Sequence, residues 1–557
     1  MKVKERISAR KGLLCAILFL GFISCIFAPF ELYAINSQEF WFSLKDFWYI
    51  PLACGVFAMI AAAMIGFFLK GKLLRIYTAV IFGTGICIYI QGNFLNLKLG
   101  LMTGTDIEWS QYTGRMILDV VVWIVIICVF IILCLRDGKY IQKIIAGVSL
   151  FLTAVLFITL IVLITPCLKE NKVPECGYPT DKNLTRLSSD TNVLVFVLDY
   201  YDVEFFRQVL TEVPEFEEQL DGFVWYDNFA GCYCNTKYAV PFMLSGHYYP
   251  MADATAYLDA LCEEDVYWDA LLQNGYEMGL YSSSELIPER AGANAANFVK
   301  TDFEIADHKA FTVLLYRLVM CKYFPDVVKP YTWLYGYEFE HRRQLRCEER
   351  YYTPENLTLV DYMERQPVTV DAEYPQFKFI HVSGAHPPYG IDEWGQRTEE
   401  ESDESKCIRG SLRLVLRYLE QMEALDVYDD TSVIITADHG RFTADCTSPV
   451  FLVKTRGARG RLISDHTPVS QVDLGSTILD LADIDTDMYG ISVFDADDQT
   501  NRKRYYYKTI KTVSEMNGRS LEKMIEYEVD SEGISLENFH LTGVEYDAEG
   551  NLRDVHE

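Results

Sequence analysis

Five apolar stretches in the first third of the chain constrain its fold more than any other feature. Each is close to the ~20 residues that an α-helix needs to cross a bilayer. The first stretch could be mistaken for a signal peptide, but it lacks a clear small-residue cleavage site and four more stretches follow it. We therefore expect a membrane domain of five transmembrane helices over residues 1–166. The expected spans lie near residues 12–30, 50–69, 73–92, 116–135 and 144–165.

Basic residues predict how these spans are oriented. Lysine and arginine concentrate before the first span, between the second and third spans, and between the fourth and fifth. The positive-inside rule then places the N-terminus in the cytoplasm, and five crossings place everything after about Thr165 outside. Trp41, Trp48, Tyr49 and Trp109 suit the outer interface, where aromatic side chains are favoured. The sequence thus predicts a multi-pass cell-membrane protein with an extracytoplasmic C-terminal part.

The two parts of the chain differ sharply in charge. Residues 1–170 carry a net charge of +6, whereas the remainder carries −34. So acidic a domain is not expected to attract nucleic acid through its overall electrostatic field. Solubility is the ordinary explanation of such a negative charge. Nine of the 15 cysteines lie outside the spans, where disulfides are permitted, and their odd number leaves at least one unpaired within the chain.

Beyond the spans, short apolar runs alternate with longer amphipathic segments. Asn192–Leu198, Phe377–His381 and Ser432–Thr436 have the pattern of buried strands, and Tyr257–Asn274 and Gly410–Leu425 have that of helices. This alternation predicts an α/β domain with a mostly parallel central sheet. The expected units are a linker at residues 167–190, the α/β domain at 191–498 and a small antiparallel appendage at 499–557.

The segment 305–345 is rich in Tyr, Phe, Leu and Trp and leaves two interpretations open. Such side chains are typical of the core of an α/β domain, which is our expectation. The same composition would also suit a segment that packs on the membrane spans.

Acidic and imidazole side chains follow three of the predicted strands where they end. Asp199 ends the first strand, His381 ends the second, and Asp438-His439 follows the third, with Gly440 permitting a tight turn. Because ligands of such sheets bind beyond the carboxyl ends of the strands, we expect one shared site. A carboxylate there is well placed to bind a hard divalent cation. Taken alone, a strand-terminal aspartate is commonly a turn residue or a helix N-cap.

Two further elements carry chemistry-bearing side chains. Thr236 opens the segment TKYAVPFMLSG, and its hydroxyl becomes a useful nucleophile only where a metal or a base lowers its pKa. Without a metal it would simply cap a helix. The segment from His381 to His386, followed by Pro-Pro, predicts a rigid loop that projects imidazoles. These could ligate a metal, protonate a leaving group or bind phosphate oxygens.

Together these residues resemble the alkaline phosphatase/sulfatase superfamily. Within it they are most similar to the membrane-anchored phosphotransferases, which include lipoteichoic acid synthases and lipid A phosphoethanolamine transferases. The resemblance covers about residues 10–490. The matching positions are Thr236, Val240, Pro241, Met243, Leu244 and Ser245 of the nucleophile motif, His381, Gly384 and His386 of the loop His-x-x-Gly-x-His, and Asp438, His439 and Gly440 of the metal-binding Asp-His-Gly.

The chain departs from the family pattern at several positions. The transferases place Glu at the first metal position, whereas this chain has Asp199 there, and sulfatases also have an Asp. Ala239 replaces a common Ser. Formylglycine requires Cys or Ser at the place that Thr236 occupies, so ordinary sulfatase chemistry is disfavoured. Val240 stands where sulfatases have an arginine. His466, in Ser-Asp-His-Thr-Pro, could join the site.

The resemblance implies a metal-dependent phosphotransferase. Asp199, Asp438 and His439 would bind one divalent ion (Mn, Zn or Mg), with Thr236 as the fourth ligand and the nucleophile. Thr236 would take the phosphoglycerol or phosphoethanolamine head group of a membrane phospholipid as a covalent ester. Diacylglycerol would leave, protonated by His386, and a hydroxyl of a cell-envelope glycan or polymer would then accept the group. Substrate contacts are expected from His381, His386 and His466.

Two other functions stay open at this point. A hydrolase of phosphate or sulfate esters would use the same residues with water as the acceptor. A catalytically inactive relative would serve as a scaffold for envelope assembly, and the intact set of Thr236, Asp199, Asp438 and His439 argues against it.

Overall fold

The computed structural model describes residues 3–97, 99, 107–170, 172–248, 254–261, 266–398, 402–441, 448–485, 490–497, 502–513, 520–547 and 551–554. The chain forms two compact units. The first comprises Met1–Lys172 and Asp302–Arg346, and the second comprises Val173–Thr301 and Cys347–Glu557. The chain therefore passes between the units three times.

The first unit contains the predicted membrane helices. Within the described residues, five helices are long and apolar enough to cross a membrane, which confirms that part of the predicted architecture. Small residues let these helices pack closely: a Cβ added at Gly85 would lie 2.7 Å from the Phe19 ring. Spans 1 to 5, as we name them, are Arg10–Ile35, Leu44–Phe68, Gly71–Leu95, Trp109–Arg136 and Tyr140–Cys167.

Residues 302–346, which we name the insertion, belong to this first unit although they lie within the sequence of the expected α/β domain. The Trp41 indole donates a hydrogen bond to the Phe339 carbonyl at 3.1 Å, and the Phe42 and Phe311 rings lie 4.8 Å apart. Core packing in the α/β domain is therefore the wrong interpretation of this segment, because its partners are on the membrane helices. Its elements are the paired strands Phe303–Ile305 and Arg343–Leu345 and the helices His308–Tyr323, Asp326–Val328, Lys329–Thr332 and Tyr337–Glu340.

The second unit is built on a seven-stranded, mostly parallel sheet, as predicted. Its strand order is β7-β2-β6-β5-β1-β4-β3, and only β6 runs antiparallel to its two neighbours. All seven residues of β1 are buried, which explains why its sequence is a continuous apolar run. The strands are β1 (Asn192–Leu198), β2 (Phe223–Tyr226), β3 (Glu277–Tyr281), β4 (Gln376–Val382), β5 (Thr431–Thr436), β6 (Phe451–Lys454) and β7 (Ile463–Asp465).

Helices cover both faces of this sheet. Alternate residues of β1 enter two separate cores, with Phe196 packed on one face and Val195 on the other. The predicted helix Gly410–Leu425 is found as Glu404–Glu423. The predicted helix Tyr257–Asn274 is found as Ala254–Leu261 and Tyr267–Gln273, and residues 262–265 lie outside the described part. The other helices of four or more residues are Val203–Glu212, Phe216–Gln219, Thr236–Ser245, Glu289–Asn294, Asn356–Arg365 and Leu474–Leu481.

A four-stranded antiparallel sheet follows near the C-terminus of the second unit. Its first strand contacts the loop that precedes Thr236: the Tyr507 N–H donates to the Cys232 carbonyl at 2.8 Å, and the Tyr507 ring stacks on Tyr233. The cysteines of the described residues are free thiols. The strands are β8 (Arg504–Val513), β9 (Ser520–Val529), β10 (Phe539–Tyr546) and β11 (Leu552–Asp554).

Candidate active site

Three neighbouring parallel strands deliver the predicted acidic and imidazole side chains to one edge of the sheet. His381 of β4 and Thr436 of β5 both pair in register with Val197 of β1. Asp199 follows β1 directly, and Asp438 lies two residues beyond Thr436. The carboxyl ends of adjacent parallel strands therefore bring Asp199, His381 and Asp438 together, as the sequence predicted.

These three residues form a cluster suited to a cation. One ligand atom from each of Asp199, His381 and Asp438 lies within 4.8 Å of the other two. Among the described residues, Asp199 Oδ1, His381 Nε2 and Asp438 Oδ2 are buried atoms without a hydrogen-bond partner. An unsatisfied buried polar atom costs about 1–3 kcal/mol, and more when charged, so three that converge fit a divalent ion well.

His439 and Thr236 complete the cluster on one side. The Nε2 atom of His439 lies 3.3 Å from Thr236 Oγ1, 3.5 Å from Asp438 Oδ2 and 3.7 Å from Asp199 Oδ1. Ligands of an ion with bonds of 2.0–2.2 Å are about 3.3–3.6 Å apart in a tetrahedral site. The His439 Nδ1 atom lies 2.8 Å from the Gly440 carbonyl oxygen, which can only accept a hydrogen bond, so Nδ1 carries the hydrogen. In the neutral imidazole, the lone pair is then on Nε2 and is directed towards Thr236 and the two aspartates.

Burial sets the charge states of this cluster. Burial, reinforced by the negative charge of Asp438, raises the pKa of Asp199 well above its usual range. Burial lowers the pKa of His381 to about 4, so this imidazole is neutral at physiological pH and keeps a lone pair for a ligand bond. Two carboxylates beside the neutral imidazole of His381 favour a cation from outside the chain.

His381 is placed differently from the substrate contact that the sequence suggested. Its side chain is 1% exposed, and its Nε2 atom lies 3.9 Å from Asp199 Oδ2. A buried imidazole aimed at an aspartate suits a ligand or a support of the metal site, and it is closed to a bulky substrate. The pattern of β4 accounts for the position, because His381 shares its sheet face with Phe377 and Phe379.

Thr236 is the first residue of the helix Thr236–Ser245, and Asn235 is its N-cap. The interpretation of Thr236 as a mere helix cap is therefore wrong. At the positive end of a helix dipole, a developing negative charge on its hydroxyl oxygen is stabilised. The helix ends at Gly246 in the left-handed conformation, with φ of 76°.

The loop with the second histidine approaches the cluster closely. The Ala385 N–H donates to the Asp199 carbonyl at 3.0 Å, and a Cβ on Gly384 would lie 2.6 Å from that same carbonyl oxygen. A glycine is required at this approach, where φ is 50°. His386 itself is exposed, and its Nδ1 atom lies 2.6 Å from the Pro387 carbonyl.

The structure does not bring His466 into this group of residues. Its imidazole is 71% exposed, and its Nδ1 atom lies 2.7 Å from Asp227 Oδ1, next to the edge strand β7. Strands β2 and β6 separate β7 from β5, which carries Asp438.

Sequence patterns do not identify three supporting residues of the site, which are Tyr200, Ser282 and Gln471. Tyr200 donates its N–H to Asp438 Oδ1 at 3.1 Å, and its ring lies 5.9 Å from those of both His386 and His439. Ser282 Oγ lies 2.9 Å from His381 Nδ1. Only the position of Ser282, directly after β3, was a usable signal.

Gln471 joins two loops of the site. Its Nε2 atom donates to the Asp438 carbonyl at 2.8 Å, and its Oε1 atom accepts from the Cys232 N–H at 3.0 Å. The loop that carries Asp438 is thus tied to the segment that leads into Thr236.

No protein-family model matches this chain, and no curated protein matches it. Among solved structures, it is similar to Ps i-CgsB in complex with k-i-k-neocarrahexaose (12% identity, 61% of this chain and 84% of that one, TM-score 0.40). It is also similar to an alkaline phosphatase superfamily protein from Vibrio parahaemolyticus (12%, 68% and 84%, TM-score 0.37). A third is the phosphonate monoester hydrolase SpPMH from Silicibacter pomeroyi (12%, 66% and 91%, TM-score 0.34). Likeness at this level says nothing of this chain's substrate, which has to be argued from its own residues.

Proposed function

We propose that this protein is a membrane-anchored, metal-dependent phosphotransferase that moves the head group of a membrane phospholipid to a cell-envelope glycan or polymer. The observation that carries the proposal is the convergence of Asp199, Asp438 and His439 on the hydroxyl of Thr236 at a helix N-terminus. This is a hydroxyl nucleophile set beside a cation site, in a chain that also has five apolar helices.

In this proposal Asp199, Asp438, His439 and Thr236 would hold one divalent ion, and His381, whose Nε2 atom lies 3.9 Å from Asp199 Oδ2, is a further candidate ligand. Carboxylate, imidazole and hydroxyl donors suit Mn, Zn or Mg. When bound, the ion would lower the pKa of the Thr236 hydroxyl and offset charge on the phosphoryl oxygens.

The chain's own residues account for the remaining steps. The proton of the Thr236 hydroxyl passes to water, Thr236 Oγ1 attacks phosphorus to form a P–O bond, and the bond from phosphorus to the diacylglycerol oxygen breaks. The helix N-terminus at Thr236 stabilises the oxygen as its charge develops. His386, when protonated at both nitrogens, gives its Nε2 proton to the diacylglycerol oxygen. An acceptor hydroxyl then gives its proton to the now neutral His386 and attacks the Thr236 ester, the bond from phosphorus to Thr236 Oγ1 breaks, and the threonine oxygen regains a proton from water.

Tyr200 would fix the geometry of these groups. Its backbone has φ of 64°, which is uncommon for a residue with a side chain, and this conformation allows its N–H to bond Asp438. Its ring meets those of His386 and His439 nearly at right angles. The Tyr200 ring therefore keeps His386, the proposed acid, and His439, the proposed metal ligand, at a fixed distance from each other.

The proposal is tested by mass spectrometry of the Thr236 peptide. The full-length protein would be incubated in vesicles of phosphatidylglycerol or phosphatidylethanolamine with Mn or Zn, with Thr236→Val as the matched control. We expect a phosphoglycerol or phosphoethanolamine mass on Thr236, absent from the control peptide and absent after the ion is chelated.

The other functions predict different results. Rapid release of the free head group into water, with no acceptor present, would support a hydrolase. An unmodified Thr236 in both lipids and with both ions, together with no measurable ion binding, would overturn the enzymatic proposal and leave an inactive relative.

A further inference from the structure

The insertion leaves and rejoins the chain on one side of the first unit. Its first and last strands, Phe303–Ile305 and Arg343–Leu345, pair antiparallel with each other. Its longest helix, His308–Tyr323, has 16 residues, about 24 Å, and is too short to cross the ~30 Å hydrocarbon layer. The insertion therefore cannot be a sixth span, and whatever depth it reaches, it returns to the side from which it came.

Contacts with two spans show that the insertion reaches well below their ends. The Tyr316 hydroxyl donates to the Cys25 carbonyl at 2.9 Å, and Cys25 lies ten residues before the end of span 1. The Phe324 ring lies 6.2 Å from that of Trp123, ten residues into the helix Thr113–Arg136. Ten helical residues correspond to ~15 Å.

Phe324 gives a third measure of depth. With Ile17, Ala62 and Thr84, it lines an apolar cavity of ≈ 230 Å³ among spans 1, 2 and 3. Thr84 lies near the middle of span 3, Ile17 lies seven residues after the start of span 1, and Ala62 lies six residues before the end of span 2, so all three are well inside their spans. If the spans cross a bilayer, the residues from Tyr316 to Phe324 lie within its hydrocarbon layer.

The charged groups of this part of the insertion are paired with groups on span 1, directly after span 3 or within the insertion itself. Lys322 Nζ lies 2.6 and 2.8 Å from the two carboxylate oxygens of Glu31, which also accepts from Tyr323. Lys329 Nζ donates to Asn96 at 2.6 Å and lies 3.5 Å from Asp326.

Asp326 is tied to span 4. Its N–H donates to Asp119 Oδ2 at 2.7 Å, and Gln91 of span 3 donates to its carboxylate at 3.3 Å. Asp119 and Asp326 are buried. Ionisable groups at membrane depth are tolerated where they pair with one another inside the protein, and non-helical backbone is tolerated where protein surrounds it.

From these contacts we propose that residues 308–332 form a re-entrant membrane element, which enters one leaflet of the bilayer and contacts lipid acyl chains through Val313 and Val327. These two side chains are exposed on the first unit. The second unit, joined to the first by three chain connections, is thereby attached to the bilayer through the insertion as well as through span 5.

Photolabelling of the unmodified full-length protein tests this proposal. The protein would be placed in phosphatidylcholine vesicles that carry a diazirine in one acyl chain, irradiated and mapped by peptide mass spectrometry. We expect adducts on the Val313 and Val327 peptides at the level of the Ile124 peptide of span 4, and little on the Gln273 peptide of the second unit. Labelling of the Val313 and Val327 peptides no higher than that of Gln273 would overturn the proposal.

A charge introduced at the lipid-facing position is an independent test. Val313→Lys should reduce the yield of membrane-inserted, folded protein by roughly tenfold, because lysine is unfavourable in the hydrocarbon layer. Leu425→Lys is the matched control, since Leu425 is a similarly exposed apolar residue of the second unit. Equal yields of the two variants would contradict a re-entrant element, whereas Val313→Leu should behave like the parent chain.

Discussion

Each of the two units contains a pair of aspartates with buried carboxylate oxygens, and the charges of the two pairs are balanced differently. In the second unit, Asp199 and Asp438 face the imidazoles of His381 and His439. In the first unit, Asp119 and Asp326 contact each other through a backbone N–H, and Asp326 lies 3.5 Å from Lys329 and 4.0 Å from Arg115.

The difference lies in where the positive charge comes from. Lysine and arginine are permanent cations, so Lys329 and Arg115 match the charge of Asp119 and Asp326 without any added ion. An imidazole is not a permanent cation, and His381, whose pKa burial lowers to about 4, supplies no positive charge to Asp199 and Asp438 at physiological pH. We infer that the first pair holds helices together, whereas the second is suited to an exchangeable cation.

The largest expected effect comes from removing a charge of the second pair. Asp438→Asn keeps the oxygen that accepts from Tyr200 and His439 but removes one carboxylate. We expect divalent-ion affinity to fall by more than ~100-fold and the proposed transferase activity by roughly 10³-fold. Without ions, this variant should be as stable as the parent or more so, because two buried carboxylates repel each other.

Isothermal titration with Mn or Zn and thermal unfolding, each on the full chain, would measure these two quantities. Asp326→Asn is the comparison variant, and in it the ion affinity at Asp199 and Asp438 should be unchanged. A clear loss of stability in Asp438→Asn without ions would show that both pairs are structural.

A smaller effect, on stability alone, is expected in the first unit. Lys329→Met removes a buried cation that contacts Asp326 and Asn96. Breaking a buried pair in this way leaves an uncompensated charge and should lower the free energy of unfolding by about 3–5 kcal/mol.

Lys309→Met, at an exposed position of the same insertion, is the matched control and should change little. Ion affinity at the second pair should be the same in both variants. If Lys329→Met unfolds at the parent temperature, the proposed structural role of the first pair is wrong.

The two pairs also differ in how far the sequence predicts them. Asp199 and Asp438 follow continuous apolar runs, and the rule for parallel sheets places the ends of such runs together. The contacts of Lys322 with Glu31 and of Asp326 with Asp119 join residues about two hundred or more positions apart, and no local pattern signals them. Aromatic composition does not distinguish a domain core from a membrane-facing surface, which is why the expectation of core packing for the insertion is wrong.

Within the site itself, the sequence does not predict the residues that act by positioning other side chains. The left-handed backbone conformation of Tyr200 cannot be predicted from the sequence, because glycine is the residue that usually adopts positive φ. The burial of His381 could be anticipated from its shared face with Phe377 and Phe379, but its distance from Asp199 depends on the register between β4 and β1.

The smallest effect expected, and the sharpest test of the second pair as an ion site, comes from Ser282. Its hydroxyl lies 2.9 Å from His381 Nδ1 and is buried, so it sets the orientation of an imidazole that faces Asp199. Ser282→Ala should weaken divalent-ion binding by about 10–100-fold, as removing a hydrogen bond to a metal-ligating histidine typically does. Ser282→Thr, which keeps the hydroxyl, should restore most of the affinity.

A merely structural role would give another result. In that case Ser282→Ala would lower the unfolding temperature equally with and without ions, whereas an ion-site role predicts that the difference from the parent grows as Mn or Zn is added. Ser283→Ala is the neighbouring control, since the Ser283 hydroxyl contacts Glu285 instead of the cluster. Unchanged ion affinity in Ser282→Ala would remove His381 from the ligand set and leave Asp199, Asp438, His439 and Thr236 as the whole of the proposed site.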